Sequence, residues 1–214
     1  NAAGTVFADS GTVCCQRKTV TGIAHPFEKD RNDSTRLRKE REPAGLPCFV
    51  LNVTYKIPQS VLVVIYTKEL DVLLIERADR PGFWQSVTGS RDSLSEPLVR
   101  TAIREVFEET GIRIVEKMPR PENHEVSAAC LEDWKIENVF EIFSVWRHRF
   151  APGVTENTEH VFGLQVPEKF PVVLALREHL DSVWLPYREA AEKCFSYTNR
   201  DAILQLPRHL RPSP

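Results

Sequence analysis

The run REVFEET sets Glu105, Glu108 and Glu109 at positions i, i+3 and i+4. In a helix that spacing puts three carboxylates on one side, while Val106 and Phe107 turn elsewhere. Carboxylates held so close raise one another's pKa and oppose the helix unless a cation sits among them. Arg104, directly before them, offsets part of the charge. A hard divalent ion with oxygen ligands offsets it more completely, and Mg²⁺ suits a few carboxylates supplemented by water and substrate phosphates. Metal-assisted attack on a phosphate is therefore the chemistry this cluster could serve. A solvated, Glu-rich helix face is the plainer reading of the same residues taken alone.

The elements that would position the cluster are legible around it. EPLVRTAIREVFEETG reads as a helix, with Pro97 suited to its first turn, where a missing N–H costs nothing, and Gly111 to its exit. Leu98, Ala102, Ile103, Val106 and Phe107 recur at helical spacing and predict a core face. Before the helix, SVLVVIY and VLLIE are short apolar runs split by the polar TKELD, as two strands and a turn would be, and FWQSVTG is a further extended piece. After it, strands are expected over 112–116, 139–150, 160–166 and 171–175, and helices over about 187–194 and 198–206. Mixed strands flanked by helices predict an α/β fold, a three-layer α/β/α sandwich around a mixed sheet.

Bulk properties narrow the function. At 214 residues the chain suits one catalytic domain with appendages. The net charge of −2 leaves no broad basic face for nucleic acid and no polybasic segment for a membrane surface, so phosphate recognition must be local. The five cysteines lack the paired spacing of a zinc site or disulfide framework. With no long apolar run and no signal-peptide pattern, the expected location is the cytoplasm. Residues 28–43 mix charges of both signs with Asn, Ser and Thr, and 1–52 is read as an unstructured extension, leaving 53–214 as the domain. Asn1 is not expected to be a natural start, because Met118 is the sole methionine. Either upstream residues are missing, or the start uses another codon and the first fifty or so residues lie outside the native protein.

From Gly89 to Ile112 the segment GSRDSLSEPLVRTAIREVFEETGI resembles the Nudix box. The matching positions are Gly89, Glu96, Arg104, Glu105, Val106, Glu108, Glu109, Gly111 and Ile112. Between Gly89 and Glu96 stands one residue more than the pattern has. It falls in the loop before the helix, where insertions are tolerated best, and leaves the role of Glu96 open. The resemblance implies the Nudix fold and a loop–helix–loop that binds Mg²⁺ and hydrolyses a diphosphate linkage, with pyrophosphate as the natural leaving group. It implies Glu105 and Glu109 as metal ligands, Glu108 as a further ligand or water-bridged neighbour, and Arg104 as the residue that orients Glu105.

The segments around the box resemble the branch of the family that hydrolyses dihydroneopterin triphosphate to the monophosphate and pyrophosphate in bacterial folate synthesis. SVLVVIYT, FWQSVTGS, EIFSVWRHRFAPGVTENTEH, REHL and SYTNR carry the similarity. RHRFAPGVTENTE is the most specific, since neither packing nor turn formation asks for that order. This resemblance implies substrate contacts from Lys56, Arg77, Thr88, Phe140, Glu141, Ile142, Phe143 and Ser196, and a metal-site carboxylate outside the helix, Glu178. Lys56 and Arg77 can pair with phosphates, Thr88 and Ser196 can donate hydroxyl hydrogen bonds, and an aromatic strand can stack on a flat pterin ring.

Blander roles compete at several of these positions. Phe140 and Ile142 alternate with Glu141 and Phe143, so one face is expected to be core and only part of the quartet to meet ligand. Glu178, between Arg177 and His179, reads equally as a surface ion pair. His148, flanked by arginines, reads as a phosphate contact or a turn residue. Trp84, Cys130 and Cys194 read as packing. Two alternative functions compete: a Nudix enzyme for nucleoside triphosphates or damaged nucleotides, which would share the metal site, and a catalytically silent Nudix module. The intact Arg104, Glu105, Glu108 and Glu109 argue against the silent module.

Overall fold

The apolar runs become strands β1 (Gln59–Thr67) and β2 (Asp71–Arg77), both almost wholly buried and joined by a tight turn in which the Leu70 N–H donates to the Thr67 carbonyl. The computed structural model describes residues 55–210 except positions 121 and 123. The extension expected over 1–52 lies outside the described residues. The chain continues through β3 (Trp84–Gln85), β4 (Val87–Ser90), α1 (Leu98–Thr110), β5 (Arg113–Val115), β6 (Glu125–Ser127) and β7 (Leu131–Glu141). A 3₁₀ turn at Ser144–Arg149 leads to β8 (Glu156–Val166), then β9 (His179–Pro186), α2 (Tyr187–Lys193) and α3 (Tyr197–Gln205).

Seven strands form one mixed sheet in the order β3-β2-β1-β8-β7, with β4 also on β1 and β9 on β2. β8 runs parallel to β1 along the whole of β1, and the other pairings in this sheet are antiparallel. One edge of β1 is shared: β2 meets it at Tyr66, whereas β4 takes Ser60 to Val63. That handover brings Thr88 and Gly89 of β4 into the sheet directly before the helix.

Two apolar layers cover the sheet. On one face Ala102 and Val106 of α1 pack with Val61, Val63 and Ile65; on the other Ala190, Ala191, Ala202 and Ile203 of α2 and α3 pack with Leu62, Val64 and Tyr66. The alternation along β1 therefore feeds both cores, and each fully buried Val, Leu or Ile contributes about 1.5–3 kcal/mol. The result is the three-layer α/β/α sandwich expected. No helix among the described residues is long and apolar enough to cross a membrane.

Several boundaries differ from expectation. The strand expected over 139–150 begins earlier, at Leu131, and stops at Glu141. Trp134, Ile136 and Phe140 turn inward while Lys135, Glu137 and Val139 are exposed, and a bulge at Lys135, φ 59°, breaks the register. Residues 171–175 form no strand; Val172 and Leu174 pack on the core while the Val173 N–H donates to Thr110 O at the end of α1. β9 was not expected, because Val183 and Leu185 lie toward one core and Trp184 toward the other, which erases alternation.

Candidate active site

The helix begins after Pro97, φ −64°, and ends at Gly111, whose left-handed φ of 71° lets its N–H cap the Phe107 carbonyl. Its inner arc holds Thr101, Ala102, Val106, Glu109 and Thr110, all buried. Phe107, expected in the core, is instead 42% exposed, with the Arg113 guanidinium over its ring at 4.6 Å. Ile103 is only half-buried. At about 100° per residue, an arc centred between Glu105 and Val106 excludes both Phe107 and Glu108. The three carboxylates thus part company: Glu105 and Glu109 face inward, and the Glu108 side chain remains 53% exposed.

Glu105 lies against the backbone of β4. A Cβ added to Gly89 would stand 1.8 Å from its carboxyl carbon, so the carboxylate holds this position only while residue 89 lacks a side chain. Arg104 holds it from the other side, with Nη1 donating to Glu105 Oε1 at 2.7 Å and to Glu108 Oε2 at 3.1 Å. The same guanidinium donates to Ser90 O at 2.9 Å and to Glu96 Oε1 at 3.1 Å. Glu96 also accepts from the Asp92 N–H at 2.8 Å, and its bond from Arg104 holds its carboxyl below the ordinary range. The lengthened loop is therefore closed on itself by Glu96, which acts through Arg104 on the orientation of Glu105.

Glu109 is the most enclosed carboxylate of the helix. Oε2 accepts the Thr88 N–H at 3.1 Å, and Oε1 stands 3.3 Å from His179 Nε2. The His179 ring is buried, and that approach lacks hydrogen-bond alignment, leaving both ring nitrogens without a hydrogen-bond partner. One ligand atom each from Glu109, Glu178 and His179 lie within 4.8 Å of one another. Burial raises the pKa of Glu109, with the His179 ring and the Thr88 N–H opposing. Burial, then the Glu109 charge, push Glu105 up to about 7 against the pull of Arg104. Carboxylates crowded at this cost, beside an unpartnered imidazole, fit a divalent cation.

A cavity of about 480 Å³ opens from this acidic end. Phe140, Phe143, Trp146 and Phe195 line its organic part, where the last three rings pack edge-on or tilted at 5.5–6.1 Å. Between the two parts Arg77 reaches Asp79 through two 2.8 Å bonds, donates to Gln85 at 3.2 Å and lies 4.7 Å over the Trp146 ring. Asp79 also accepts from Trp146 Nε1 and Arg149, and Arg77 above all lowers its pKa to about 2. Trp146 and Arg149 thus tie the 3₁₀ turn to Asp79, while His148 is exposed and outside the lining.

The structure brings most of the expected residues together. Lys56, Arg77, Thr88, Phe140, Ile142, Phe143 and Ser196 line the cavity with Glu105, Glu109 and Glu178. Arg104 stands behind Glu105, and neither it nor Glu108 lines the cavity. Glu141 is exposed, bonded to Arg147, and lies outside this lining. Ile142 is buried and Phe143 is exposed to the cavity side. Cys194 donates its thiol to Asn199 Oδ1 at 3.1 Å, and burial pushes its pKa up to about 12, which fits packing rather than nucleophilic chemistry. Sequence reasoning missed His179, Asp79, Gln85, Trp146, Asn157 and Glu159. His179 carried a signal as the neighbour of Glu178 in REHL, and Trp146, Asn157 and Glu159 stand within EIFSVWRHRFAPGVTENTEH, whose order neither packing nor turn formation explains.

Comparison with known proteins agrees with this geometry. The NUDIX domain family model matches residues 56–206. A dihydroneopterin triphosphate diphosphatase of Haemophilus influenzae is 41% identical over 169 residues, covering 78% of this chain and 98% of the relative. The protein of that name from Escherichia coli K12 is 43% identical over 153 residues, covering 71% and 93%. The solved structure of the E. coli dihydroneopterin triphosphate pyrophosphohydrolase superposes with a TM-score of 0.62 at 42% identity, covering 72% of this chain and 98% of that one. With its box helix, mixed sheet and acidic pocket, the chain belongs to the Nudix family, as a hydrolase closely related to the dihydroneopterin triphosphate diphosphatases.

Proposed function

We propose that this enzyme hydrolyses dihydroneopterin triphosphate to the monophosphate and pyrophosphate with Mg²⁺, as a step of folate biosynthesis. The observation that carries the reading is one cavity that joins a carboxylate cluster to an aromatic wall, a shape for a charged phosphate chain attached to a flat ring. The 41–43% identity to enzymes named for this substrate supports it.

Glu105, Glu109 and Glu178, with His179 beside them, would hold the metal. When bound, Mg²⁺ neutralises phosphate oxygens and acidifies water. Arg104 and Glu96 keep Glu105 aimed, so little reorganisation is needed when substrate enters. Lys56, whose ammonium has no ion-pair partner among the described residues, meets the phosphate chain, as does Arg77 while it stays anchored to Asp79. Thr88 and Ser196 donate hydroxyl bonds, and Phe140, Ile142 and Phe143 pack on the ring. Glu141 contributes by holding Arg147 in the turn. The cytoplasm suits an enzyme whose Cys130 and Cys194 are free thiols.

The test is a substrate panel. With Mg²⁺, pyrophosphate release from dihydroneopterin triphosphate should exceed that from any common dNTP by about tenfold or more in kcat/KM. Equal or reversed rates sink the pterin assignment and favour a nucleotide substrate.

The metal-free protein should also show a pH signature. Because Glu105 is raised from 4.5 to about 7, the folded state binds a proton there that the unfolded state lacks over that interval. Its contribution to stability is therefore present below the lower value and lost as pH rises through the upper one. A cation that binds the charged form restores it, so the Mg²⁺-induced rise in Tm should be larger at pH 8 than at pH 6. Thermal melts with Mg²⁺ or EDTA measure this, and Glu105→Gln should flatten the difference; a shift independent of pH in wild type would contradict it.

A further inference from the structure

Beneath α2 and α3 the sheet face runs through Leu62, Val64 and Tyr66 of β1 and Val161 of β8, all in the apolar core. One step nearer the strand beginnings, the same face turns polar. Ser60 pairs with Glu159 across β1 and β8, Glu159 with Asn138 across β8 and β7, and Asn157 with Phe140. Ser60, Phe140, Asn157 and Glu159 all line the cavity.

Glu159 is 6% exposed, and the groups that meet it are neutral donors: Asn138 Nδ2 at 3.3 Å and the Thr198 hydroxyl. Its carboxylate makes no salt bridge among the described residues, and burial raises its pKa. Asn157, 4% exposed, donates Nδ2 to Ser60 Oγ at 2.7 Å, which fixes the amide and leaves Oδ1 buried with no partner. Two buried acceptors on one cavity wall, one anionic and one orphaned, are costly unless a ligand supplies donors.

We propose that Glu159, with Asn157 Oδ1 beside it, recognises the donor edge of an aminopyrimidinone ring and so sets the enzyme's choice of substrate. The inference rests on the pterin reading and adds its selectivity element. In such a ring the endocyclic N–H and the exocyclic NH₂ point the same way, and a carboxylate accepts both side by side. Phe140, opposite Asn157 in the ladder, offers its ring for stacking. Guanine presents the same edge. Adenine sets a lone pair beside its amino group and would face a carboxylate oxygen with it.

The experiment measures kcat/KM of the whole Mg²⁺-loaded protein for dihydroneopterin triphosphate, dGTP and dATP, in wild type and Glu159→Gln. Glutamine keeps the shape but offers one acceptor and one donor. The ratios of pterin to dATP and of dGTP to dATP should each fall about tenfold or more, mainly through KM. Thermal denaturation establishes that the variant is folded. If it is not, Glu159→Asp, which withdraws the charge by one methylene, should produce the same fall. Unchanged ratios in a folded variant overturn the proposal. A wild type that prefers dGTP to the pterin, with the dGTP to dATP ratio collapsing in Glu159→Gln, keeps the edge recognition and sinks the pterin assignment. A wild type preferring neither over dATP sinks this inference.

Discussion

Glu109→Gln should lower kcat by at least about 10³-fold, because it removes charge at the point where the metal and the developing phosphate charge meet. Its carboxylate is buried, bonded to the Thr88 N–H and placed with Glu178 and His179 in the cluster that fits a cation. The fold should survive. A neutral amide costs less to bury than a carboxylate whose pKa burial already raises, so the metal-free Tm should match or exceed wild type. Glu108→Gln is the control: its exposed side chain bonds Arg104 behind Glu105, and the loss should be smaller, about 10–100-fold, typical of an outer partner of a metal ligand. Steady-state kinetics and Mg²⁺ titration on both variants check the contrast. Equal losses would show that the helix presents its glutamates differently once metal is bound.

Gly89→Ala should cost about 10²-fold in kcat, although glycine has no side chain with which to take part in the chemistry. The new methyl carbon would lie 1.8 Å from the Glu105 carboxyl carbon. The strand cannot retreat, since Gly89 pairs with Val61 of the buried β1, so the side chain must give way. Swinging it aside breaks the 2.7 Å bond to Arg104 and moves the carboxylate by about an ångström or more, the scale at which positioning losses become large. Because the clash falls on the far end of a flexible side chain at the cavity edge, Tm should change little. Kinetics, Mg²⁺ affinity and Tm measured together separate misplacement from unfolding; a folded variant within threefold of wild-type activity would refute the account.

Much of this fold is legible in local sequence. The box marked α1 from Leu98 to Thr110 and its exit at Gly111, and the apolar runs marked β1, β2 and β8, because helix periodicity, αL glycines and buried apolar strands are local properties of sequence. Local pattern failed where burial is shared between two cores, as in β9, or where an apolar stretch covers a helix end instead of joining a ladder, as at 171–175.

By itself, then, the sequence determined the fold class and the family, and offered Glu105, Glu108, Glu109 and Glu178 as candidate metal ligands. Tertiary structure alone decided which carboxylates turn inward, since the arc of α1 that faces the sheet is set by packing against β1 and β4, and it takes Glu105 and Glu109 but leaves Glu108 in solvent. It also decided that His179 joins Glu109 and that Glu159 and Asn157 share a cavity wall. The first joins α1 to β9, and the second sets one face of β8 beside β1 and β7; which elements meet depends on strand register, which no single segment encodes.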